Sequence, residues 1–151
     1  MKKDLTTLTL KELEIMMTNA RKSTSPNATD VYRAAAVELF RRHGSDYTDP
    51  VIADCWGALA LLDRCRYEKT GKRLKSQHSV NSIKRNGEIA FMTACARGKT
   101  EGTGFVVLVE AGLGQCTVEY IVATNPDRFP PDAVSSARSR LSDHGVPLPT
   151  A

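Results

Sequence analysis

The sequence predicts an all-α fold, a compact domain of six or seven helices. Three observations carry that prediction. Apolar residues recur at i, i+3, i+4 and i+7 through most of the chain, the period of a helix with one buried face. Start and stop signals come in pairs: Thr9, Asp49-Pro50 and Pro131-Asp132 open segments, and Gly44, Gly71 and Gly145 close them. All seven prolines lie outside residues 51–125, which leaves the middle free to form continuous helix.

The first helix opens at Thr9. Thr9-Leu10-Lys11-Glu12 has the form of a capping box, with Leu8 and Leu13 as its hydrophobic staple. Leu10, Leu13, Met17 and Ala20 then follow at helical spacing, and the polar stretch 21–27 ends the run. A second helix is expected from about Pro26 to His43, capped by Ser25. Tyr32, Ala36, Leu39 and Phe40 are its stripe. Arg41, Arg42 and His43 complement the negative helix end, and Gly44 suits a left-handed C′ position.

Asp49-Pro50 starts the central helix, expected to run to Thr70 and stop at Gly71. Ile52, Cys55, Trp56, Leu59 and Leu62 line one side, with Ala58 and Leu61 broadening it. Trp56 reads as a core anchor in preference to a stacking platform, because its apolar neighbours fall at helical spacing. Residues 71–75 form a basic loop. Ser76 caps a short helix, Gln77 to Asn86; Gly87 interrupts, and Glu88 to Arg97 resumes.

Residues 105–123 admit two readings. Val106, Val107, Val109, Val118, Ile121 and Val122 favour strands, and an α+β fold with a hairpin at about 105–123 is the alternative. The helical reading caps at Thr103, stops at Gly112 and restarts at about Thr117. It is preferred because the rest of the chain is helical and no partner sheet is visible. The last helix starts at Pro131 and Asp132, buries Val134, Ala137 and Leu141, and ends at Gly145. The expected organisation is one helical domain over 1–145: an N-terminal helix pair (1–45), a central helix (49–70), a C-terminal helical part (76–145), then a frayed tail (146–151).

A chain of 151 residues with 41% apolar and 25% charged residues suits one folded domain and excludes wholesale disorder. No apolar run approaches ~18 residues, so no membrane span is expected. The first residues lack the apolar region of a secretory signal. Four cysteines spread through the chain do not make a disulfide scaffold, so a reducing cytoplasm is the expected compartment.

The net charge of +4 hides an asymmetry. The 36 residues from Arg64 to Lys99 hold ten basic and two acidic residues, a net +8, and the remaining 115 hold 11 basic and 15 acidic, a net −4. A basic block on an acidic body is the pattern of a nucleic-acid or anionic-surface binder.

Residues 83–87 (Ile-Lys-Arg-Asn-Gly), Leu108-Val109-Glu110-Ala111-Gly112, Glu119-Tyr120-Ile121-Val122, Asn125-Pro126-Asp127-Arg128-Phe129 and Ala137-Arg138-Ser139-Arg140-Leu141 carry a resemblance. Residues 65–141 look like the C-terminal half of a group of small uncharacterised bacterial proteins. That resemblance implies a helical 105–123 and a bacterial cytoplasm. It brings no catalytic residue.

Within the basic block, Gln77, Asn81, Lys84 and Arg85 fall at i, i+4, i+7 and i+8, turned away from Val80 and Ile83. Gln, Asn and Arg match the donor and acceptor pairs of adenine and guanine edges in the major groove. Lys72, Arg73 and Lys75 just upstream, with Lys84, suit phosphates. Helix, Gly and second helix also sketch a helix-turn-helix, although here the first helix would be the reader.

The expected function is therefore a small cytoplasmic nucleic-acid-binding protein, DNA before RNA, with a regulatory role. The alternative is an interaction module, self-associating or not, that docks its basic block on an acidic protein. No catalytic residue, cofactor or metal is assigned. Gly98-Lys99-Thr100 lacks the glycine a phosphate loop needs at position 93, which is Thr. Cys55, Cys65, Cys95 and Cys116 lack close zinc-type spacing and read as small buried hydrophobes. Glu110 and Glu119 sit in apolar stretches and would be an acid/base pair only if they shared a cleft.

Overall fold

The computed structural model describes residues 4–71, 77–98 and 103–148. These form eight α-helices and no strand: α1 (Leu10–Lys22), α2 (Ala28–His43), α3 (Pro50–Thr70), α4 (Gln77–Asn86), α5 (Glu88–Arg97), α6 (Thr103–Glu110), α7 (Val118–Thr124) and α8 (Pro131–Asp143). The all-α class is as the sequence predicts. The break at Gly87 falls where the sequence places it, between Gln77–Asn86 and Glu88–Arg97, and the described helices number one more than the six or seven expected.

Most boundaries follow local signals. The Thr9 capping box is formed in both directions, Glu12 N–H to Thr9 Oγ1 at 3.1 Å and Thr9 N–H to Glu12 Oε1 at 3.0 Å. Asp49 Oδ1 accepts from Val51 N–H at 3.0 Å and opens α3. Residues 105–123 are two helices, not a hairpin. Gly112 takes a φ of +77° and lets Leu113 N–H reach back to Leu108 O at 2.8 Å, the closing bond of a helix rather than of a strand turn. Thr117 Oγ1 then accepts from Tyr120 N–H at 3.1 Å and restarts the chain as α7.

Three expectations need correction. α2 starts at Ala28, because Ser25 spends its hydroxyl on Asn27 Oδ1 and its carbonyl on Ala28 N–H, turning the chain before the helix begins. Gly44 is right-handed, with φ −95°. Its lack of a side chain serves packing instead, since a Cβ there would collide with the Ala53 carbonyl of α3. Val146 and Leu148, expected in a frayed tail, pack against the core.

α3 runs through the middle and buries two sides. Leu61 and Cys65 face a cluster with Leu13 and Met17 of α1, Ala35, Ala36 and Leu39 of α2, and Leu108 of α6. Cys55, Ala58 and Leu59 face a second cluster with Met92 and Ala96 of α5, Val122 of α7 and Ala137 and Leu141 of α8. Ile83 is the buried residue by which α4 joins that second cluster.

The α2–α3 crossing is close enough to forbid side chains. At Gly57 an added Cβ would lie 2.5 Å from the Phe40 carbonyl oxygen. Alanine should favour a helix over glycine by about 1 kcal/mol, but overpacking of this kind costs about 1–3 kcal/mol. The clash is with backbone, so the unfavourable effect wins. Gly57→Ala is expected to lower the urea midpoint; a midpoint at or above wild type would show that the helices can separate freely.

Candidate nucleic-acid interface

α4 places the predicted face as the spacing implies. Ile83 is buried and Val80 half-buried on the inner side, while His78, Asn81, Lys84, Arg85 and Asn86 are exposed. Gln77 is placed by its backbone at the head of the same helix. Lys72, Arg73, Lys75 and Ser76 lie outside the described residues. Lys84 and Arg85 have no ion-pair partner among the described residues. α4 itself contains no acid.

The rest of the basic block is not equivalent. Arg64 is drawn into the interior, donating to Glu14 Oε2 at 2.9 Å and Thr18 Oγ1 at 2.6 Å on α1. It also faces Glu68 at 3.7 Å. Glu68 accepts from the Tyr32 hydroxyl at 2.7 Å, so this network ties α1, α2 and α3 together. Lys69 meets Glu110 at 3.2 Å, and Arg97 holds Asp132 through two bonds of 2.8 and 3.0 Å. Three of the block's positive charges are thus answered by acids of the rest of the chain. Lys99 lies outside the described residues.

The α4–α5 junction is short. Gly87 has a φ of +89°, a conformation that favours glycine, and it turns the chain within one residue. Glu88, first in α5, accepts from Trp56 Nε1 at 3.0 Å. Trp56 packs against the C-terminal cluster, as an anchor should. It also stacks with Tyr47 of the α2–α3 loop, ring centroids 6.0 Å apart and planes 8° from parallel. Tyr47 was not among the predicted site residues. A loop residue has no periodicity to give it away, and only the fold brings it over Trp56.

The acid/base candidates do not meet. Glu110 is exposed on the end of α6 with Lys69. Glu119 is buried on α7, where Arg140 of α8 donates to it at 2.9 Å. Arg140 donates as well to the carbonyls of Cys95 and Gly98, satisfying the end of α5. Glu119 borders an opening of about 360 Å³ walled by Leu59, Leu62, Phe91 and Phe105. Glu110 is not among its lining residues.

No helix among the described residues is long and apolar enough to cross a membrane. No family model, curated protein or solved structure matches the chain.

The cysteines behave as hydrophobes. Cys55, Cys65 and Cys116 are buried and Cys95 is half-buried. Burial, reinforced by neighbouring acids or thiols, pushes Cys55, Cys95 and Cys116 up from 9.0 to about 12. A thiol raised on folding favours the native state fully below its unfolded value, and that contribution is lost as pH rises through the folded one. Stability should therefore fall between pH 9.0 and about 12. Urea midpoints at about pH 8 and about pH 10 should show the fall beginning, and Cys55→Ala should make it shallower. An equal fall in Cys55→Ala would remove Cys55 as a contributor.

Proposed function

We propose that the protein binds nucleic acid, DNA before RNA, through the outer face of α4. One observation carries the reading: within a block of net +8, Lys84 and Arg85 stand exposed on an acid-free helix, without an ion-pair partner among the described residues. Arg64, Lys69 and Arg97 of the same block are engaged by the fold. Exposed, uncompensated cations are what counterion release requires.

In this reading Lys84 contacts phosphate, joined by Lys72, Arg73 and Lys75 of the preceding segment. Gln77, Asn81 and Arg85 offer donors and acceptors to base edges. A regulatory role in the cytoplasm accompanies it.

Fluorescence anisotropy with labelled DNA over a salt series tests the proposal. Lys84→Ala should weaken binding uniformly across sequences and reduce the salt slope by about 1; Arg85→Ala should cost about 1–3 kcal/mol on a preferred sequence. Both residues are exposed, so neither change should move stability by more than about 0.5 kcal/mol. No binding at about 50 mM salt, where phosphate contacts are strongest, would overturn the proposal. Retention of an acidic protein after nuclease treatment would favour docking on protein instead.

A further inference from the structure

A cleft of about 400 Å³ opens between α2, the α6–α7 turn and the residues that follow α8. Val37 of α2, Val109 of α6, Leu113 of the turn and Val146 after α8 give it apolar walls. Leu113 belongs to the α1–α2 cluster, while Val109 and Val146 pack on the C-terminal one, so the two reach the surface side by side here. Gly114 lets the turn and the last residues close on each other, since a Cβ there would lie 2.6 Å from Cγ2 of Val146. Val37 is 47% exposed, an apolar side chain left half in water.

Among the described lining residues there is one Arg, no Lys and no acid. The Arg is Arg33, one helical turn before Val37 and on the same face of α2. A Cβ on Gly112 would lie 3.2 Å from its Nη2, so the guanidinium rests against the bare backbone of the turn. Arg33 has no ion-pair partner among the described residues, although Asp30 stands three residues earlier on α2. Arg42, Arg64, Arg97 and Arg140 are all engaged, by acids or by carbonyls.

We infer that this cleft is a binding site for a small amphipathic carboxylate. The carboxylate lies on the Arg33 guanidinium and the apolar part runs along Val37, Val109, Leu113 and Val146. Apolar walls with a few placed polar groups, enclosing about 300–1,000 Å³, are the usual form of a small-molecule site. The guanidinium fork matches a carboxylate through two parallel hydrogen bonds. One positive charge answers one negative charge. A phosphate monoester carries about −1.5 to −2, and the excess would fall on apolar walls. At the roughly 30 Å³ that a water molecule takes in the liquid, about ten non-hydrogen atoms suit the volume, the size of octanoate. None of these residues lies on α4, so the inference stands apart from the nucleic-acid reading.

The full chain is titrated with octanoate, octanol and acetate, and its backbone amides are followed by NMR. Octanoate should saturate in the millimolar range or below and shift the amides of Gly112, Gly114 and Gly145. Octanol lacks the charge and acetate lacks the chain, so each should bind at least about 5-fold more weakly. Arg33→Gln should bring octanoate down to the level of octanol and leave octanol unchanged. Val37→Ser should weaken both. Both side chains are exposed, so neither change should unfold the protein.

Octanoate that binds no tighter than octanol, or an Arg33→Gln variant that keeps wild-type affinity for octanoate, would overturn the inference. So would shifts confined to the opening beside Glu119, or octanoate that fails to saturate below its micelle range. Each of these results leaves DNA binding by α4 as it was.

Discussion

Everything in this fold is hung on the contact between α2 and α3. Two glycines make it, Gly44 against the Ala53 carbonyl and Gly57 against the Phe40 carbonyl. Backbone-to-backbone approach at two points sets the crossing of the helices, because neither point has a side chain that could yield. With α2 pressed onto one side of α3, α1 closes the first cluster over Leu61 and Cys65. The other side of α3 is left for α5, α7 and α8. The loop between the two contacts spans only 45–49, and it has to pass over Trp56. The position of Tyr47 is thus a consequence of the same crossing.

The two halves are then secured by buried charge. Arg140 closes the C-terminal half by joining Glu119 and the end carbonyls of α5. Glu68 and Arg64 do the same between α1, α2 and α3. Breaking a buried pair leaves an uncompensated charge, at about 3–5 kcal/mol, so these groups are committed to the structure. Arg42 is spent in a related way, donating to the carbonyls of Leu5, Thr6 and Leu8 and pinning the N-terminal turn to α2. A positive charge in the sequence is therefore not a positive charge on offer to a partner.

That distinction marks what could be read from the sequence. Helix ends were legible because capping is local: Thr9 with Glu12, Asp49 with Val51, and Gly71 and Gly112 with their own helices all act within a few residues. The solvent face of α4 was legible for the same reason, since its period alone sets Ile83 inward and Lys84 outward. Gly44 was misread because its role depends on Ala53, a contact across two helices. The basic block was overcounted because the acids that neutralise it are distant in sequence. Glu14 is 50 residues from Arg64, Glu110 is 41 from Lys69, and Asp132 is 35 from Arg97.

The same long-range pairing sharpens the charge asymmetry instead of erasing it. It withdraws Arg64, Lys69 and Arg97, which lie on α3 and α5. Of the other described cations of the block, Arg66 lies half-buried on α3, and Lys84 and Arg85 lie exposed on α4, the helix held to the core chiefly through Ile83 and joined to α5 by a single glycine. A helix attached by so narrow an inner face turns most of its circumference outward. The surface available for a ligand is then set by how little of α4 the fold needs.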